Sequence, residues 1–302
     1  MSARLGAART APDARAARFE GLALLVFTGC AWGFNWPVNK FLLSELPPFT
    51  MRSISVGLGV VLAFLIAALR RERLMPARGQ WGQLILLGLL NYGAFTVLTT
   101  IALVWLDASV AVLITYTLPV WATLLAWPVL GERPKPRGVL ALVVALAGVA
   151  LLVGADPGKA ASAGLPGVIC AFLAAMAFAL GTVLGKRRRV ILPPVTGVAW
   201  QALFGAMPPL ALALTEHPHL AALTPLGWGA IAYVATLPMT LAYLTWFRAL
   251  HLLPASVAST GVLIAPLVGV LASAALLGDP LGPRQVVAMV VVLGGVGLAA
   301  RG

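Results

Sequence analysis

The sequence predicts an all-helical polytopic membrane protein with ten transmembrane helices arranged as two inverted five-helix repeats. Three observations carry this prediction: ten uncharged apolar runs, a one-sided placement of Lys and Arg between them, and self-similarity at an offset of 147 residues. Composition agrees. Of 302 residues, 61% are hydrophobic and 10% are charged, against about 45–50% and 25% in soluble domains. A mean hydropathy of +0.98 excludes a soluble enzyme, a disordered chain and a secreted module.

Residues 1–20 contain four Arg and two acids and read as a disordered, basic cytoplasmic tail. A hydrocarbon core about 30 Å thick needs roughly 20 apolar residues per helix. Runs of that kind follow at Gly21–Asn39, Ser53–Leu69, Gly79–Leu106, Ala108–Gly131 and Gly138–Ala155, which make the first repeat, residues 21–155. The second repeat, residues 160–301, holds Ala160–Gly185, Val190–Thr215, Leu220–Phe247, Leu252–Gly278 and Gln285–Ala300. Turn-forming clusters such as Leu46-Pro47-Pro48 and Gly131-Glu132-Arg133-Pro134 close several of them. None alternates in polarity, as barrel strands would. No run carries an acid or base in its interior.

The net charge of +12 resides in short clusters between the runs, not along one face, so nucleic acid is not an expected partner. Seventeen Lys and Arg fall on one side of the predicted membrane: Arg4, Arg9, Arg15, Arg18, Arg70, Arg71, Arg73, Arg78, Arg133, Lys135, Arg137, Lys186–Arg189, Arg248 and Arg301. Only Lys40, Arg52, Lys159 and Arg284 fall on the other. Positive charge marks the cytoplasmic side, so both termini are expected there.

Residues 102–132 match residues 249–279. Ala102, Leu103, Leu106, Ala108, Ser109, Val110, Ala111, Pro119, Leu124, Leu130 and Gly131 recur as Ala249, Leu250, Leu253, Ala255, Ser256, Val257, Ala258, Pro266, Leu271, Leu277 and Gly278, and Glu132 meets Asp279. The match continues from Arg137 and Gly148 to Arg284 and Gly295. Five helices per copy is an odd number, so the second copy enters the membrane from the opposite side. Such repeats are a transporter architecture, with the substrate bound near the midplane between the halves.

Ten helices in this arrangement, the first-helix segment Ala31-Trp32-Gly33-Phe34-Asn35-Trp36-Pro37, Arg52 soon after Pro48, and the Leu130-Gly131-Glu132-Arg133 ending of the fourth helix resemble the drug/metabolite transporter superfamily, and within it the EamA-type exporters. The resemblance spans roughly residues 20–301 and implies an integral protein of a bacterial inner membrane that exports small metabolites. Aromatic and neutral amino-acid exporters are the nearest group. The four-helix multidrug members of the superfamily carry a proton-coupling carboxylate in their first helix. Gly21–Asn39 has none, which favours transport without proton coupling. Phosphorylated substrates are disfavoured, since no cation lies deep in a run. The alternative functions are a lipid or glycolipid flippase and a membrane-embedded enzyme acting on a lipid-linked substrate.

A small solute needs a few polar groups in a mostly apolar cavity. The candidate substrate-binding residues are Trp32, Asn35 and Asn39 on the first helix, Tyr92 and Thr96 on the third, Tyr116 on the fourth and Tyr243 on the eighth. Aromatic faces stack on an aromatic solute, and amides bond an ammonium or carboxylate. Pro119 and Pro266, at equivalent positions, are candidate hinges. Gly29-x-x-x-Gly33 suits a close helix crossing, and Glu132 and Asp279 read as structural caps. Cys30 and Cys170 are read as buried hydrophobes, and His217 and His219 as a solvated loop. No catalytic residue, metal site or cofactor is expected. The expected partners are a small-molecule substrate and membrane lipid, and the expected state is a monomer.

Overall fold

The computed structural model describes residues 11–133, 136–153, 164–188, 190–253, 257, 261 and 263–300. Residues 1–10 of the basic tail, residues 154–163 at the expected boundary between repeats, and Lys135, Arg189, Ala255, Ser256, Ala258 and Arg301 lie outside the described residues.

Ten helical segments follow one another among the described residues. They are α1 (Ala11–Glu45), α2 (Pro48–Leu69), α3 (Arg78–Trp105), α4 (Ala108–Leu130), α5 (Pro136–Val153), α6 (Leu165–Arg187), α7 (Pro194–Ala213), α8 (Pro225–Leu252), α9 (Ile264–Leu277) and α10 (Pro283–Ala300). Seven are long and apolar enough to cross a membrane, while α5, α9 and α10 supply shorter apolar stretches. There is no strand among the described residues. Large apolar side chains such as Val61, Leu65, Leu140 and Val143 point outward. The closest contacts between helices are made by small ones, including Ala141, Ala145, Ala171, Ala175 and Ala288, each fully buried, with larger side chains such as Leu42, Leu103, Ile114 and Ile231 filling the space between them. Lipid tails are as apolar as Leu, so close backbone packing of small residues, not hydrophobic burial, joins the helices.

The repeat is visible in this packing. The equivalent glycines Gly148 and Gly295 meet where α5 crosses α10: a Cβ on Gly148 would approach Val292 to 2.6 Å, and one on Gly295 the Ala145 nitrogen to 2.7 Å. Helices α4 and α9 both stop at a glycine in the left-handed conformation, Gly131 at φ 75° and Gly278 at φ 73°. That geometry closes a helix end at little cost only for glycine, which explains the shared Gly-acid ending. At Gly33, a Cβ would strike the Ala265 carbonyl at 2.6 Å, so α1 and α9 cross as closely as the Gly29–Gly33 spacing suggests.

Helix ends lie on two faces. The face bearing Glu20, Glu72, Glu132 and Arg248 is called here the terminal face, and that bearing Glu45, Asp107, Glu216 and Asp279 the far face. Two expectations are corrected. The tail is not disordered throughout, because residues 11–20 form the first turns of α1, with Glu20 paired to Arg248 at 3.0 Å. Nor are Lys40 and Arg52 loop charges. Helix α1 continues past Asn39 to Glu45, and α2 begins at Pro48, so both cations sit inside helices. Lys40 is stabilised there by two backbone carbonyls of α3, and Arg52 by Thr100.

Candidate functional site

Helices α3 and α8 each contain one wide turn of π-helix, at Leu89–Ala94 and Leu237–Leu241. The offset of 147 carries residues 90–94 onto 237–241, so the two bulges are equivalent. A π-turn breaks the regular ladder and is frequent at functional sites. In α8 it is favoured by Pro238, which has no N–H to donate. The broken ladder is re-satisfied locally: Thr240 Oγ1 donates to the Ala235 carbonyl at 2.9 Å, and the Trp32 indole donates to the Pro238 carbonyl at 3.1 Å.

The bulges turn Tyr92 and Tyr243 towards each other, with ring centroids 5.9 Å apart. Trp32 stands edge-on to Tyr243 at 5.5 Å and lies 5.8 Å from Trp246. One turn along α1, Trp36 faces Tyr116 at 6.4 Å. Four of the predicted residues, Trp32, Tyr92, Tyr116 and Tyr243, thus form one aromatic centre drawn from both repeats, and Trp36 and Trp246 join it. Tyr92 can reach this position because Gly205 of α7 lies against it; a Cβ there would land on the Tyr92 side chain and 2.8 Å from the Gly88 carbonyl. The Tyr92 hydroxyl is buried and makes no hydrogen bond of ordinary geometry among the described residues. Space beside Tyr243, between α2, α7 and α8, amounts to about 10 Å³, barely enough for one water.

The remaining predicted residues behave differently. Asn39 is buried and its Nδ2 donates to the Asn35 carbonyl at 2.6 Å and to the Asn35 side-chain oxygen at 2.7 Å, while its own Oδ1 is buried with no hydrogen-bond partner among the described residues. Thr96 is buried one turn beyond Tyr92, and its carbonyl accepts from Thr100 at 2.7 Å. Thr100 in turn accepts from Arg52 Nε at 2.7 Å. Arg52 is 7% exposed and has no carboxylate partner among the described residues. Sequence reading missed it because its position, five residues after the Leu46-Pro47 turn, looked peripheral. A buried cation without an acid is costly and marks a functional position in a membrane protein.

Pro119 lies in the first turn of Leu118–Leu130, just after a break at Tyr116–Thr117 that divides α4. Thr117 Oγ1 donates to the Ile114 carbonyl at 2.7 Å across the break. Pro266 occupies the first turn of α9. A second cavity, of about 330 Å³, lies nearer the terminal face between α3, α6 and α7, and is lined by Leu87, Asn91, Gly181, Thr182, Gly185, Val190 and Gln201. Asn91 Nδ2 donates there to Gln201 Oε1 at 3.2 Å.

At both faces a carboxylate fastens α2 to α7. Glu216, beyond the end of α7, accepts from the Phe49 and Thr50 amides and the Thr50 hydroxyl at 2.7–3.0 Å. Glu72, beyond the end of α2, accepts from the Thr196 amide and hydroxyl, both at 2.9 Å. Thr50 and Thr196 close the matching segments Leu46-Pro47-Pro48-Phe49-Thr50 and Leu192-Pro193-Pro194-Val195-Thr196. The two clamps are therefore equivalent.

A bundle of paired inverted repeats around an aromatic centre with equivalent broken helices defines the architecture of a secondary transporter. The sequence matches the EamA-like transporter family over residues 19–154 and again over residues 165–301, and the chain belongs to that family, within the drug/metabolite transporter superfamily. It is 28% identical to the uncharacterized transporter YvbV of Bacillus subtilis, over 85% of this chain and 84% of that one. It is 30% identical to an uncharacterized protein of Pseudomonas aeruginosa, over 95% of each, and 26% identical to the protein PecM of Dickeya dadantii, over 88% and 87%. A solved crystal structure shares the fold with a TM-score of 0.61 at 20% identity, covering 95% of this chain and 96% of that one. The protein is an integral membrane transporter.

Proposed function

We propose that this transporter exports small neutral metabolites, aromatic and hydrophobic amino acids first among them, across a bacterial inner membrane by alternating access and without proton coupling. The terminal face is then the cytoplasmic one. The observation that carries the reading is the aromatic centre of Trp32, Tyr92, Tyr116 and Tyr243, with the acid-free cation Arg52 on the same side of α3 as Thr96 and Thr100. From Thr100 back to Tyr92 is eight residues, about 12 Å of helix. An aromatic amino acid lying within that interval sets its ring among the aromatic faces and its carboxylate towards the guanidinium, a charge-assisted contact that suits arginine. Substrate stacking supplies ring contacts of the kind the centre already makes with itself. No described acid stands in the centre, which supports transport that follows the substrate gradient alone.

The test is binding and transport by purified protein of labelled phenylalanine, tryptophan, leucine and an amine lacking the carboxylate. Loss of a hydrogen bond to a charged group is worth about 1.5–3 kcal/mol, so Arg52→Gln weakens amino-acid affinity by roughly 10- to 100-fold and leaves the amine unaffected. Tyr92→Ala lowers the preference for aromatic over aliphatic side chains. Equal affinities for the acid and the amine in the wild type would refute the reading.

A further inference from the structure

The cavity of about 330 Å³ between α3, α6 and α7 lies outside the aromatic centre but shares a wall with it. Asn91 and Tyr92 are neighbours in the π-turn Leu89–Ala94: Tyr92 faces Tyr243, and Asn91 lines the cavity. Its volume falls at the lower end of the range for small-molecule sites, roughly 300–1,000 Å³.

The cavity is turned to the interior of the bundle, not to lipid. Along α6, Leu165, Ile169 and Leu173 are exposed in one stripe, which is the lipid-facing one. Thr182 follows Leu173 by nine residues, about two and a half turns, and so stands on the opposite side. It is exposed there, on the cavity wall. Along α3, Ile85, Leu86 and Leu89 are exposed to lipid, and Asn91 lies about half a turn round from Leu89. The cavity sits at the terminal-face end of both helices, where Gln83 Nε2 joins α3 to α6 by donating to the Leu184 and Arg188 carbonyls at 3.3 and 3.4 Å. Gly185 leaves room in it, since a Cβ there would come only to 3.7 Å from Leu87.

No lining residue is charged. The three polar ones each spend a donor inside the bundle. Asn91 Nδ2 donates to Gln201 Oε1 at 3.2 Å, Gln201 Nε2 to the Gly197 carbonyl at 3.2 Å, and Thr182 Oγ1 to the Phe178 carbonyl at 2.9 Å. Their oxygens keep lone pairs. Asn91 Oδ1, packed against Gly181, is buried and accepts from nothing among the described residues. An acceptor left so is costly, and a ligand that donates relieves it. The terminal torsion of Asn is broad, so a turn of this amide presents Oδ1 to the cavity.

We propose that this cavity is a second binding site, an amine site on the terminal-face side of the aromatic centre, where the side-chain oxygens of Asn91 and Gln201 take the ammonium group of the substrate. An ammonium has three donors and no acceptor, which suits a wall rich in free acceptors. The substrate docks here by its ammonium before its ring passes Tyr92 to the aromatic centre, where Arg52 meets the carboxylate. The proposal rests on the amino-acid reading and names the residues that read the other end of the molecule.

The experiment reads occupancy of the cavity and needs no transport. In a chain with Cys30→Ala and Cys170→Ala, Thr182→Cys places a thiol on the exposed wall, and a membrane-impermeant maleimide is applied at the terminal face of vesicles. The probes are phenylalanine, phenylethylamine, which lacks the carboxylate, and phenylpropionate, which lacks the amine. The first two are expected to slow labelling several-fold and the third to leave it unchanged. Asn91→Leu is expected to raise the half-protecting concentration of phenylethylamine about tenfold or more; if it fails to fold, Gln201→Leu takes its place. Gly185→Leu, whose side chain fills the cavity, is expected to slow labelling without any ligand, and Gly185→Ala to behave as the wild type. Equal protection by amine and acid, protection by none of the three, or labelling by a lipid-soluble maleimide alone would overturn the amine site. So would protection that vanishes with Arg52→Gln, which would belong to the aromatic centre. Protection by phenylethylamine but not by phenylalanine would uphold the amine site and count against the amino-acid reading, and so separates the two failures.

Discussion

Asp107 sits between α3 and α4, on the turn that Lys40 and Asp279 hold. Burial, and next the Asp279 carboxylate, raise its carboxyl above the usual range, while Lys40 pulls it back. A raised carboxyl pKa means that the folded protein binds the proton more tightly than the unfolded, solvated chain. The group therefore contributes stability that is present at acid pH and is lost as pH rises through the raised value. The charged groups facing Asp107 are Asp279 and Lys40. The purified protein is accordingly expected to lose stability as pH rises from acid, and Asp107→Asn to lose less than the wild type, as thermal unfolding at a series of pH values would read. Equal losses in both would remove Asp107 from this role. At this scale the aromatic residues that the structure brings together could be singled out in the sequence, because Trp and Tyr near the middle of apolar runs have few uses beyond packing and recognition. Arg52 and Lys40 were not. Charge reads as a boundary in a linear pattern, and only the three-dimensional structure supplies the carbonyls and hydroxyl that hold each cation inside a helix.

Among the elements, α3, α4, α8 and α9 carry the departures from regular helix. Pro119, in the turn after the Tyr116–Thr117 break of α4, and Pro266, in the first turn of α9, stand at the starts of equivalent helical stretches. Alanine at either position restores an amide donor and favours a continuous helix. Pro119→Ala and Pro266→Ala are accordingly expected to slow turnover several-fold with little change in apparent affinity, checked by initial rates normalised to folded protein. Turnover at the wild-type level in both would remove the hinges from the account. The number and order of helices could be read from apolar runs because the bilayer imposes a length on each. The π-turns could not, since they reflect main-chain geometry that residue type barely encodes; Pro238 was the one local sign, and the Tyr92 turn has none. Likewise the Leu-Pro-Pro segments read as turns, while their role as the fastened ends of α2 and α7 depends on Glu72 and Glu216, each more than a hundred residues away in sequence.

At the scale of the molecule, symmetry connects fold to function. Two copies of one five-helix unit, inserted in opposite senses, have two equivalent conformations, and exchanging them moves a central cavity from one face to the other. The clamps between α2 and α7 are made at both faces, whereas Lys40 and Asp279 hold the turn between α3 and α4 at the far face. The direct measurement is counterflow: proteoliposomes loaded with unlabelled phenylalanine, placed in dilute labelled phenylalanine with no pH or ion gradient. An alternating-access carrier for neutral amino acids exchanges label inward, so the account predicts transient protein-dependent accumulation that Arg52→Gln suppresses. Label remaining at the level of protein-free liposomes for phenylalanine, tryptophan and leucine alike, or accumulating only when a proton gradient is imposed, would contradict it.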